Sequence, residues 1–66
     1  MYYIVRNPKG YIETVAWNQL RESDRVIFTI NKADWWDMMA SVKGWFNMSD
    51  EELIKARDEY YHRITR

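Results

Sequence analysis

The sequence predicts a small α+β domain in βββαα order: a three-stranded antiparallel sheet, made of a β-hairpin plus a third strand, followed by an α-helical hairpin. Three observations carry that prediction. YYIVRNPKGYIETVA holds two runs of β-branched and aromatic residues around an Asn-Pro-Lys-Gly turn. RVIFTI at residues 25–30 is too apolar for a loop. Asn31 and Ser49 each open a stretch with the signature of a capped helix start.

The hairpin is the most specific local signal. Asn7-Pro8-Lys9-Gly10 suits a type I turn, with Asn first, Pro second where its φ is preset, and Gly last where φ > 0 is wanted. Gly10 then forms the bulge common in such hairpins. With Asn7 opposite Tyr11, Val5 faces Glu13, Tyr3 faces Val15 and Met1 lies near Trp17. The other face holds Tyr2, Ile4, Arg6, Ile12, Thr14 and Ala16, so neither face is cleanly polar. Residues 17–24, WNQLRESD, form a loop or one short helical turn. The third strand follows, and an antiparallel meander is its simplest connection.

The helix starts share one chemistry. Asn31 caps the first with Asp34 reaching back, and Ile30 and Trp35 occupy the hydrophobic-staple positions. Ser49 and Glu52 form an S-x-x-E capping box for the second, flanked by Met48 and Leu53. These fix starts near residues 32 and 50. Gly44 is expected to end the first helix in a left-handed cap with Trp45 packing back, which leaves a linker short enough for an antiparallel helical hairpin.

Helical projection sorts the side chains. In the second helix Leu53, Ala56, Tyr60 and Ile64 form a central apolar stripe, extended by Ile54 and Tyr61. Glu51, Lys55, Asp58, Glu59, His62 and Arg66 make the solvated face. Arg57 falls inside the apolar arc, where its stem packs and its head reaches water or stacks on a ring. In the first helix Trp35, Met39, Val42 and Phe46 share a stripe, continued by Met38 and Trp45, while Trp36 and Ala40 lie on the far side. Roughly 200° of this helix is apolar, where packing on a sheet needs little more than about 100°. Adjacent residues point about 100° apart, so Trp35 and Trp36 cannot both centre the buried stripe. Trp35 is expected in the core and Trp36 at a contact surface.

Bulk composition narrows the function classes. Sixty-six residues make one domain spanning 1–66. Ten basic and ten acidic residues give a formal charge of zero, without the basic excess of a nucleic-acid binder. There is no cysteine, hence no disulfide framework and no thiolate metal site. No signal-peptide core or apolar run of membrane-spanning length is present, so a soluble, cytoplasmic protein is the expectation, with no membrane partner. Aromatic residues reach 17%, and rings that bury about 150–250 Å² each can build a compact core in so short a chain.

Catalytic chemistry is poorly supplied. The single histidine, His62, sits on the polar face. None of Ser23, Ser41, Ser49, Thr14, Thr29 or Thr65 lies in a nucleophile motif or has a His/Asp partner at telling spacing. Asp58 and His62 at i,i+4 lack a third ligand and read as a surface pair. The run Asp50-Glu51-Glu52 complements the helix dipole. Two glycines leave no phosphate-cradling loop. No catalytic residue, metal or cofactor is expected, and the chain is not read as an enzyme.

What remains is binding. The expected function is a non-enzymatic protein-binding module, acting on a partner protein or on itself as a homodimer, with the contact set Trp36, Met38, Lys43, Arg57 and Tyr61 and with Tyr2 and Tyr11 on the sheet in reserve. In overall manner, very short, Trp/Tyr-rich and without cysteine, the chain resembles the small accessory proteins that phages and mobile elements use to bind and inhibit host proteins, although no motif carries that likeness. One alternative is a nucleic-acid-binding accessory protein that stacks bases on Tyr2, Tyr3, Tyr11 and Trp17 and neutralises phosphates with Arg6, Lys9, Arg21 and Arg25. Another is a structural component of a larger assembly.

Overall fold

The computed structural model describes residues 1–64; Thr65 and Arg66, named above as a possible nucleophile and as part of the solvated helix face, lie outside the described residues. Strands β1 (Tyr2–Arg6), β2 (Ile12–Val15) and β3 (Arg25–Ile30) form one antiparallel sheet, followed by helices α1 (Lys32–Ser41) and α2 (Asp50–Ile64). Short 3₁₀ turns at Trp17–Gln19 and Trp45–Asn47 lie in the connections.

The hairpin closes as its residues require. Tyr3 pairs with Val15 and Val5 with Glu13. The Gly10 amide donates to the Asn7 carbonyl at 2.9 Å, the Asn7 amide donates to Tyr11 at 2.9 Å, and Gly10 takes φ +88°. Asn7 Oδ1 also accepts from the Lys9 and Tyr11 amides at 3.0 and 2.9 Å, which is why Asn suits the first turn position.

The meander is not what forms. The strand order is β2-β1-β3, so β3 pairs with β1 and not with β2. The reason lies in β1, the strand that is apolar on both faces. Ile4 and Val5 are neighbours on opposite faces and both have no exposure, which only a central strand covered on two sides achieves. The edges go to the strands that carry Glu13 and Thr14, or Arg25 and Thr29.

Each face of β1 has its own cover. Ile4, Phe28 and Ile30 join Trp35, Met38, Leu53 and Tyr60 in the main core, beneath both helices. Val5 lies on the reverse face with its cross-strand partner Glu13. Residues 16–24 must pass back across the sheet to start β3, and there Arg21 Nη2 meets Glu13 Oε2 at 2.6 Å. The Arg21 Nε and Nη2 also grip Asp24 at 3.1 Å each. Between Ile4 and Val5 the β1–β3 register slips, pairing them with Phe28 and Val26 and leaving Ile27 as a bulge.

Both helix starts carry the expected caps. The Asp34 amide donates to Asn31 Oδ1 at 2.8 Å; the Glu52 amide donates to Ser49 Oγ at 3.2 Å while Glu52 Oε1 accepts from the Ser49 amide at 3.1 Å. The end of α1 differs. It stops at Ser41, whose hydroxyl donates to the carbonyls of Asp37 and Met38 at 3.1 Å each and so competes with continued helix. Gly44 does adopt a left-handed φ of +73°, but as the entry to the second 3₁₀ turn. Trp45 packs back edge-on against Trp35, 5.6 Å between centroids, whereas Phe46 leaves the expected stripe and stands in solvent. Ile64 is likewise exposed rather than central in its stripe.

The two helices are tied through Tyr60, whose hydroxyl donates to Asp37 Oδ2 at 2.8 Å and approaches Asp34 Oδ1 at 3.4 Å. The bond to Asp37, burial and the neighbouring carboxylate charges push its pKa up to about 12 from the usual 10.0. The folded state therefore favours the protonated phenol. Its contribution is complete below pH 10 and is lost as the pH rises toward 12. Tyr60→Phe is expected to lower the thermal midpoint by several degrees at neutral pH. Wild type and variant should converge as the phenol ionises, which thermal melts followed by circular dichroism at stepped alkaline pH would show.

Candidate functional site

Trp36 is the largest side chain on α1 that the core does not absorb. It is 57% exposed, beside Trp35 at 2%. Around it lies a groove of about 300 Å³, lined by Tyr2, Thr14, Ala16, Gln19, Trp35, Trp36 and Met39. The groove exists because Trp35 anchors α1 over Phe28, 6.0 Å between ring centroids, and so sets the next residue toward the β2 side of the sheet. Tyr2, Thr14 and Ala16 share the helix-covered face by hairpin register. No lining residue is ionisable at neutral pH. Trp17, in the turn between Ala16 and Gln19, is 75% exposed.

The expected contact residues do not form one surface. Trp36 and Tyr2 meet in this groove. Met38 does not belong to the contact set. It is 1% exposed and part of the main core, because α1 turns the edge of its apolar arc, and not the middle of the expected stripe, toward the sheet. Met39, expected at the stripe's centre, is only partly buried and lines the groove. Lys43 is exposed beyond the end of α1. Tyr11 stands at the hairpin turn, 68% exposed.

Arg57 and Tyr61 lie on α2, away from the groove. The Arg57 guanidinium sits over the Phe28 ring at 5.0 Å and donates to Asp58 at 3.1 Å, so the buried stem ends in a cation–π contact. Tyr61 is half-buried, edge-on to Tyr60 at 5.6 Å. Burial first, and the Asp34 carboxylate second, push its phenol pKa up. These contacts give both residues a structural occupation. Thr14, Ala16 and Gln19 were missed as site residues. The hairpin register was the available signal, since it already placed Thr14 and Ala16 with Tyr2.

The arginines that a phosphate surface would need are engaged. Arg6 and Arg25, cross-strand partners, both bind Asp50 at the start of α2, at 2.9 and 2.6 Å. Arg21 binds Asp24 and Glu13. Asp24 is held below the usual carboxylate range by its bond from Arg21, whose own pKa is raised in turn. Among the described residues no three His, Asp or Glu side chains gather as metal ligands, and no helix is long and apolar enough to cross a membrane. Comparison with protein-family models, with curated proteins and with solved structures found no match.

Proposed function

We propose that this chain is a non-enzymatic protein-binding module, an inhibitor or adaptor that docks a larger protein through the groove beside Trp36. The observation that carries the reading is an exposed tryptophan over an uncharged groove, in a fold whose core is complete without it. Tryptophan is enriched among the few residues that dominate association energies, and such residues sit in pockets that partners fill and dry. The engaged arginines and the zero formal charge support this reading over nucleic-acid binding.

The test separates fold from association. Trp36→Ala should shift stability by no more than about 0.5 kcal/mol, as at other exposed positions. It should weaken association by more than about 1 kcal/mol. Light scattering over a concentration series, alone and with a mixed oligonucleotide at low salt, comes first, followed by affinity capture with wild type and Trp36→Ala side by side. Collapse of the fold in Trp36→Ala would place that ring in the core and end the proposal.

A further inference from the structure

We infer that the groove receives an extended strand of the partner, with an acidic residue two positions from the apolar one it buries, which adds to the free edge of β2. This rests on the protein-binding reading and names the occupant of the same site.

The backbone supplies the first argument. β2 is an edge strand, bonded only to β1. The Asn7 amide bonds the Tyr11 carbonyl, so in the alternating antiparallel ladder Val5–Glu13 and Tyr3–Val15 are the bonded pairs. Ile12 and Thr14 are then the residues whose N–H and C=O groups point away from β1. Thr14 is also a groove residue. A strand laid along β2 would thus bond the free amides and, from alternate positions, drop one side chain between Tyr2, Trp36 and Met39. Ile12–Val15 contains no Pro, Lys or bulge, and its one charged residue, Glu13, is on the reverse face and paired with Arg21. The opposite edge, β3, is interrupted by its bulge.

Charge supplies the second argument. Lys32, exposed and one turn before Trp36, lies on the same face of α1. Both acids of α1, Asp34 and Asp37, are turned to Tyr60 at the α2 side. Lys32 is thus the charged residue of α1 on the side of Trp36, and the groove itself is neutral. That suits an apolar residue with Asp or Glu two positions away, on the same face of the added strand.

The probe is a display library of short linear peptides selected on the whole chain. Enriched sequences should carry an apolar residue with an acidic residue two positions away. Resynthesised with one amide N-methylated at a time, they should lose at least about tenfold in affinity at every second residue and little at the others. Thr14→Pro removes an outward N–H but no bond to β1, so it should abolish binding with the circular dichroism spectrum unchanged. Should that variant misfold, the N-methyl series decides. Trp36→Ala should cost at least about tenfold, and Lys32→Glu about fivefold with a weaker salt dependence.

A library that yields no binder, peptides without the period of two, or enrichment without acids would overturn the inference. Helical peptides that still need Trp36 would overturn strand addition and leave the protein-binding reading standing. Peptides indifferent to Trp36→Ala would overturn both. A doubled solution mass that Thr14→Pro abolishes would make a second copy the occupant, against the foreign strand.

Discussion

Trp35→Ala is expected to unfold the domain at room temperature, while the same change one residue later leaves it folded. Trp35 is 2% exposed and stands at the centre of an aromatic chain, edge-on to Phe28 at 6.0 Å and to Trp45 at 5.6 Å. Truncating a buried Trp to Ala costs about 3–5 kcal/mol, a sum of lost transfer energy and an unfilled cavity. A core in a domain of this size rarely supplies more than about 3–5 kcal/mol in total. The loss is therefore comparable to the whole stability. Neighbours cannot easily collapse into the space, since Phe28 is held from above by Arg57 at 5.0 Å and Trp45 is fixed by the turn that Gly44 opens. Far-ultraviolet circular dichroism and amide proton dispersion at room temperature provide the measurement. A variant that retained a cooperative urea transition with a small shift in midpoint would show that the core rests on Leu53, Ile4 and Ile30 instead.

That asymmetry between adjacent tryptophans was legible from periodicity alone, because helix geometry forbids both from centring one stripe. The hairpin register was legible for a similar reason: Asn7, Pro8 and Gly10 leave one low-energy way to close the turn. The caps at Asn31 and Ser49 are likewise short-range chemistry, in which the partner lies three residues away. What periodicity could not supply was the rotation of α1 about its axis. Met38 and Met39 are equivalent by composition, and only the placement of α1 over the sheet makes one core and the other groove. The position of β3 was hidden for a different reason. Connection length favours pairing with β2, and the competing demand, that Ile4 and Val5 both be covered, is a property of the whole sheet. The double apolar character of β1 was visible in the sequence and was the clue to its central place.

The groove itself combines residues from both kinds of information. Tyr2, Thr14 and Ala16 come together by local register, and Trp36 and Met39 arrive by helix docking. A binding site assembled this way inherits its rigidity from the core beneath it. Trp35 lines the groove floor as well as filling the core. Substitutions there would disturb the fold and the groove together.

Arg6→Met is expected to cost about 2–3 kcal/mol, the second largest loss, at a position where sequence suggested only a phosphate contact. The guanidinium ties three segments together. Its Nε and Nη2 reach Asp50 Oδ1 at 3.0 and 2.9 Å, Nη1 donates to the Gly10 carbonyl at 2.8 Å, and Nη2 donates to the Met48 carbonyl at 2.9 Å. The hairpin turn, the end of the 42–49 connection and the first turn of α2 are thus joined by one side chain, itself only 18% exposed. Methionine keeps the apolar stem and removes every donor, so the deficit reads out the polar contacts. Lysine should not rescue it, because a single ammonium cannot serve carbonyls and a carboxylate in divergent directions. Arg25 also binds Asp50, at 2.6 Å, but is 70% exposed, and Arg25→Met should cost less than about 1 kcal/mol and vanish at high salt. Urea titrations at low and high salt separate the two, with the Arg6 deficit persisting in both. An Arg6→Met chain of unchanged stability that had lost affinity for an oligonucleotide would reverse the assignment, making Arg6 part of a phosphate surface and reviving nucleic acid as the partner.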